Sequence, residues 1–379
     1  MTNKFIPVCE PLLAGNELKY INDAVSTGWI SSAGGYIEQF ENAFADYCGV
    51  KYAVAVCNGT VALHLALATL GIGPNDEVII PNFTMIASAF AVCYTGAKPV
   101  FVDADINTWN MDADLIEEKI TPRTKAIMPV HIFGNMCDMD KIAEIAKKNN
   151  LYILEDAAEA HGAEYRGKKS GSFSDIAAFS FFANKNITTG EGGMVVTNSE
   201  ELYRKARYYK NLCFPLDGSR NYLHNDIGFN YRMSNLHAAI GLAQVERADY
   251  YRELRINNHK LYKKYLEGCE GVIFQKDEPE TMNVHWMNSI LIDENKYGKS
   301  RDSLIAYLKQ KGIDSRLLFN GMHRQESIKK YGCDCSGEYP VTDMLSDQGL
   351  YLPSGSGLTE MDIKRICDEI RLFKNSEQK

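Results

Sequence analysis

Seven short apolar runs punctuate the N-terminal half of the chain, at Tyr52 to Val56, Glu77 to Ile80, Pro99 to Val102, Ala126 to Pro129, Leu151 to Leu154, Ala177 to Phe182 and Gly193 to Thr197. They are rich in β-branched or aromatic residues, and helical patterns separate them, the alternation that builds βαβ units. Runs apolar on both faces suit strands covered on both sides, so an α/β fold with a mainly parallel, helix-covered sheet is predicted. From about Ala248 the texture changes to a Lys/Tyr/Arg-rich helix, short strands near Val284 to Ile292, a helix over Ser303 to Lys311 and a terminal helix over Glu360 to Phe373. This divides the chain into a large domain, 1–248, and a smaller α/β domain, 249–379. No Gly/Ser/Pro linker marks the boundary.

Ligands of such sheets gather at the carboxyl ends of strands. One strand runs into Glu155-Asp156-Ala157-Ala158-Glu159, and another into Ser180-Phe181-Phe182-Ala183-Asn184-Lys185, followed by glycines at 190, 192 and 193. A lone lysine is ordinarily a solvated charge. Lys185 instead lies between an apolar strand and glycines that permit close backbone approach. An amine and a carboxylate at two strand ends fit pyridoxal phosphate. The amine holds the cofactor's aldehyde as a Schiff base, and the anion keeps the ring nitrogen protonated, which makes the ring an electron sink. The segment Asn58-Gly59-Thr60 follows a strand and opens a helix, where free amides and the positive dipole end suit a phosphate; Asn58 as a plain helix cap explains the same residues. Neither G-x-G-x-x-G after the first strand nor G-x-x-x-x-G-K-[ST] occurs, which removes the common nucleotide-binding motifs.

Composition narrows the classes. With 379 residues, 45% of them hydrophobic, the chain can bury a sizeable core. A net charge of −8 leaves no basic excess for nucleic acid or an anionic membrane. The N-terminus lacks an apolar core of signal-peptide length, and no run of about eighteen apolar residues follows, so a cytoplasmic location is expected. Ten scattered cysteines then read as reduced thiols. Cys333 and Cys335 form a Cys-x-Cys with no second pair, a weak metal motif, and no metal is expected. His131, His161 and His285 are read as packed rather than catalytic.

Five segments in order, Gly28-Trp29-Ile30-Ser31-Ser32, Asn58 to Leu63, Glu155 to Ala160, the lysine segment and Gly228 to Met233, resemble the DegT-type nucleotide-sugar aminotransferases from Pro7 to about Ile370. Within that family the likeness is greatest to the GDP-perosamine synthases. The resemblance implies the pyridoxal-phosphate-dependent transferase fold type I, with a mainly parallel seven-stranded sheet flanked by helices and a smaller C-terminal α/β domain. It implies amino transfer from L-glutamate to C4 of a nucleotide-linked 4-keto-6-deoxy sugar, GDP-4-keto-6-deoxymannose by the nearest likeness, for surface polysaccharide synthesis. UDP- or dTDP-linked sugars use nearly the same constellation. Related dehydratases carry histidine at the lysine position, so Lys185 favours transamination. A cofactor-binding protein without turnover is a further alternative, against which Lys185 and Asp156 argue.

The resemblance also assigns roles. Lys185 is the Schiff-base lysine and proton shuttle, Asp156 pairs with the ring nitrogen, Glu159 contacts the cofactor's 3-oxygen, and Gly59, Thr60 and Ser180 hold its phosphate. Met85 stands where relatives place an aromatic ring over the cofactor. Asn230 and Arg232 lie in a loop that crosses a two-fold interface in similar enzymes, which implies a homodimer with shared sites. Trp29, Ser31, Arg316 and His323 are candidates for the sugar nucleotide.

Overall fold

A computed structural model describes residues 4–219 and 222–376. The apolar runs become β1 (Tyr52–Val56), β2 (Glu77–Pro81), β3 (Lys98–Val102), β4 (Thr124–Ile127) and β5 (Tyr152–Asp156), then, after the two-residue strands β6 (Glu164–Tyr165) and β7 (Lys168–Lys169), β8 (Ile176–Ser180) and β9 (Gly193–Thr197). Seven of these form one sheet in the order β1-β9-β8-β5-β4-β2-β3. Its neighbours are parallel from β8 across to β3, whereas β9 runs antiparallel to both β1 and β8.

The period-two pleat sends alternate side chains into two cores. Ile153, Ala177, Phe179 and Val196 join Phe40 and Phe44 on one face. Leu154, Ala178 and Val195 meet Leu63, Ala66 and Leu67 of the helix Gly59–Leu70 on the other. Both faces being covered is why the strands read as unbroken apolar runs.

The helix Ala248–Leu266 leads to a second, antiparallel sheet in the order β10-β12-β14-β13. Its strands are β10 (Val272–Phe274), β12 (Asn288–Ile292), β13 (Arg316–Leu317) and β14 (Gly349–Leu352), and β11 (Thr281–Met282) pairs with β6 instead. Residues 284 to 287, expected as strand, lie outside β12, and His285 adopts a positive φ of 46°. Tyr262, Ile290, Leu304, Leu350 and Ile366 form a core of their own for this sheet. An aromatic layer of Phe83, Trp109, Phe133, Trp286 and Tyr351 packs between it and the central sheet.

His259 and His285 stack in this region with ring centroids 3.6 Å apart and planes 8° from parallel. Burial pushes the His259 imidazole down to about 4 and holds His285 well below the usual histidine range. Below about pH 6.5 the unfolded chain therefore binds more protons than the folded one. The pair's contribution to stability is complete above that pH and is lost as the pH falls through the folded value. Thermal unfolding between pH 7 and pH 4 is expected to show a falling Tm that His285→Asn flattens, at about 1.4 kcal/mol per pH unit for each histidine; an equal slope in both proteins contradicts this.

Candidate active site

Strand alternation separates the neighbours Glu155 and Asp156 onto opposite faces of the sheet. Glu155 serves structure. It accepts hydrogen bonds from the amides of Gly171 (2.8 Å) and Phe173 (3.0 Å) and the Ser174 hydroxyl (2.7 Å), and lies 3.0 Å from His131 Nε2. Burial raises this carboxyl, but these partners outweigh it and leave the group below the usual range.

Asp156 faces the other way, with fewer partners. The Ser88 hydroxyl donates to Oδ2 at 2.7 Å and the Ala158 amide to Oδ1 at 3.2 Å. Burial dominates and pushes the carboxyl up. The turn after β5 returns Glu159 to the same space. Its Oε2 accepts the Phe133 amide at 2.7 Å, its Oε1 lies 4.0 Å from Lys185 Nζ, and burial pushes it up to about 7. Lys185 is held from below by a turn in which its amide donates to the Phe182 carbonyl at 2.9 Å. Its Nζ sits 3.7 Å from the centroid of the Trp286 ring. Burial lowers the proton affinity of the amine, and Glu159 and then Asp156 oppose the effect. An amine pulled toward neutrality beside two carboxyls pulled the same way is the signature of a chemical site.

Beyond Asp156, the sheet edge carries a second set of groups. Asp156 is aligned with Ala178, and Ser180 lies two residues further along β8, about 6.6 Å at strand rise. Ser180 and Val56 both pair with Gly193, which brings the turn after β1 alongside. A Cβ on Gly59 would stand 2.5 Å from Ser180 Cβ, and one on Gly193 would stand 2.3 Å from the Asn58 carbonyl oxygen, so both close approaches require glycine. The Asn58 side chain caps the helix Gly59–Leu70 by accepting the Val61 amide at 3.0 Å. Among the described residues, the amides of Gly59 and Thr60 take no hydrogen bond, and they stand free at a helix N-terminus beside the Ser180 hydroxyl. Capping and phosphate binding are therefore compatible.

This arrangement fits pyridoxal phosphate. A helix end with free amides lies beside Ser180, two residues along β8 from the partner of the buried Asp156, and the lysine amine lies 4.0 Å from Glu159. Met85 stands at the edge, 46% exposed, with its sulfur accepting the Ala87 amide at 3.0 Å as it caps the helix Ile86–Tyr94. His323 lies at the carboxyl end of the central sheet, 2.7 Å from Asn82 Nδ2 through Nδ1 and 3.1 Å from Asp343 through Nε2.

Other candidates lie elsewhere in this chain. Arg232 donates to Asn211 Oδ1 at 2.9 Å and borders a cavity of about 480 Å³ with Lys51, Arg207 and Lys210; Asn230 bridges to Asn211. Trp29 is 57% exposed, and it and Ser31 give their carbonyls to Asn235. Arg316 is exposed and pairs with Asp314 at 3.1 Å. His131 and His161 are buried among packed groups, as their sequence context suggested. Ser88 and Trp286 also reach the site, and neither stands out along the chain. Ser88 is one small residue in an apolar helix, and Trp286 reaches Lys185 from about a hundred residues away.

Several known proteins are similar to this chain over nearly its whole length. A "GDP-perosamine synthase" from Caulobacter vibrioides is 48% identical, with 95% of this chain and 96% of that protein aligned. One of the same name from Escherichia coli O157:H7 is 45% identical over 98% of this chain and 99% of its own length. The solved structure of S. venezuelae DesV superposes with a TM-score of 0.91 at 34% identity, covering 99% of this chain and 100% of that one. The model of the DegT/DnrJ/EryC1/StrS aminotransferase family matches residues 11–371. This chain belongs to that family and is a pyridoxal-phosphate-dependent aminotransferase.

Proposed function

We propose that this enzyme moves an amino group from L-glutamate to C4 of GDP-4-keto-6-deoxymannose, forming GDP-perosamine for surface polysaccharide, as a cytoplasmic homodimer. The observation that carries the chemistry is the buried Lys185 amine facing Glu159 and Asp156 at the end of β5. The choice of GDP sugar rests on the two whole-length relatives of that name.

Bound pyridoxal phosphate supplies an electron sink for the carbon that loses a proton. Lys185, its proton affinity lowered by burial, would hold the cofactor by its aldehyde, and its Nζ would accept and return a proton. Asp156 pairs with the ring nitrogen, whose positive charge offsets the burial that raises this carboxyl. The Ser88 hydroxyl holds Asp156 in that orientation. Glu159, fixed by the Phe133 amide, faces the 3-oxygen. The Gly59 and Thr60 amides and the Ser180 hydroxyl would take the phosphate, and Met85 would pack over the ring in place of an aromatic side chain.

Asn230 and Arg232 complete the site of a second copy across the two-fold axis. The loop around them exposes Ile227 at 92% and Leu223 at 71%, apolar surface that a second copy can cover. Trp29, Ser31, Arg232, Arg316 and His323 meet the sugar nucleotide. We place the boundary between the cofactor domain, 1–248, and the small domain, 249–379, at the start of the helix Ala248–Leu266. No helix among the described residues is long and apolar enough to cross a membrane.

Lys185→Ala is expected to remove the glutamate-bleachable visible band and abolish turnover; a mutant band identical to wild type removes the lysine from this role. Gly59→Ala drives a methyl into Ser180, at a cost of about 1–3 kcal/mol, and is expected to weaken cofactor binding about tenfold or more in fluorescence titration. Kinetics with GDP-, UDP- and dTDP-linked 4-keto-6-deoxy sugars are expected to favour GDP by about a hundredfold or more in kcat/KM. Equal values for the three defeat the nucleotide assignment.

A further inference from the structure

Three chain segments converge on the carbonyl of Asn184, the residue before Lys185. It accepts the Trp286 indole N–H at 2.9 Å, an Arg255 guanidinium N–H at 3.3 Å and the Cys9 thiol at 3.5 Å. Arg255, on the helix Ala248–Leu266, is 1% exposed. It also donates to the carbonyls of Trp286 (2.8 Å) and Ser354 (2.5 Å), to Ser356 Oγ (2.9 Å) and to Cys9 Sγ (3.3 Å). None of the five acceptors is a carboxylate. A guanidinium buried without a carboxylate is costly for stability alone, since desolvation is not repaid by an ion pair. Its fork does join two points that matter to the amine: the backbone before Lys185 and the backbone of Trp286, whose ring lies against Nζ.

We propose that Arg255 is a positioning residue for Lys185, locking the lysine's backbone to the indole that covers its amine and placing a fixed positive charge beside that amine. It touches no reacting atom. The groups that face the amine are Glu159 and Asp156 from the end of β5 and the turn after it, the neutral His161, Cys9 from the N-terminal segment, and Arg255 from its helix. Burial is the largest influence on the amine; Glu159, Asp156 and Cys9 oppose it, while Arg255 reinforces it. Arg255 thus helps keep the nitrogen from holding its proton too tightly, which both nucleophilic attack and proton transfer require.

The inference rests on the reading of Lys185 as the amine that engages the cofactor. It is tested on the holoenzyme by titrating the visible band of the bound cofactor against pH and by measuring kcat and KM. Arg255→Met is expected to move the titration midpoint up by about one unit and to lower kcat about tenfold or more, with KM for the sugar nucleotide changed by less than about twofold. Arg255→Lys is expected to return the midpoint to within a few tenths of wild type, since the charge is kept, but not kcat, because an ammonium cannot reproduce the fork. Should Arg255→Met fail to fold, Trp286→Phe, which removes the indole N–H and keeps a ring, is expected to lower kcat about fivefold or more at an unchanged midpoint. Wild-type kcat in a folded Arg255→Met or Trp286→Phe protein overturns the proposal, as does a kcat loss in Arg255→Met with no movement of the midpoint. A wild-type band that does not depend on Lys185 sinks the functional reading instead, and so distinguishes the two failures.

Discussion

The site depends on a lysine amine taken out of water beside two carboxyls that are also buried. Burial disfavours the charged form of each group, and the attraction between the amine and the carboxyls opposes that effect. Lys185 is pulled toward the neutral amine, and Asp156 and Glu159 toward the neutral acid. Under the proposed function, the cofactor's cationic ring nitrogen would give Asp156 the opposite charge that it lacks in the chain alone.

The pleat of β5 shows how one strand serves two purposes. Glu155 is surrounded by four donors from the loop at 171–174 and from His131, and is locked as a carboxylate. One residue on, Asp156 has only Ser88 and Ala158 and keeps capacity for a further partner. The difference is not in residue type but in which face of the sheet each side chain meets. Glutamate and aspartate in tandem therefore become scaffold and reagent.

Much of this was legible in the chain. The seven apolar runs gave the strands to within a residue or two, because a doubly covered sheet demands apolar residues at every position. The lysine segment stood out through its glycines, and the carboxylates through their place at a strand end. What escaped were contacts made over long sequence separations. Arg255 reads as one more basic residue in a Lys/Tyr/Arg-rich helix, and only the packing of that helix against Ser354 and Asn184 removes it from water. The positive φ at His285, just ahead of the delayed start of the expected strand, is not legible in composition, since histidine is enriched in that conformation without being diagnostic of it. Trp29 and Ser31 contact Asn235, Asn230 bridges to Asn211 and Arg232 to Val56, pairings made by backbone and loop packing that residue type does not announce.

The reversal of β9 has a mechanical consequence. Parallel neighbours must be joined by a long crossover, whereas an antiparallel pair needs only a short return. Because β9 runs opposite to β8, the twelve residues from Phe181 to Gly192 leave and re-enter the sheet at its ligand edge, with Ser180 and Gly193 facing each other at the loop's base. The lysine thus rides on a short span anchored at both feet, each packed against the turn at Asn58 and Gly59. A tether of that kind lets the amine swing between partners while its root stays still, giving the side chain reach without giving the backbone slack.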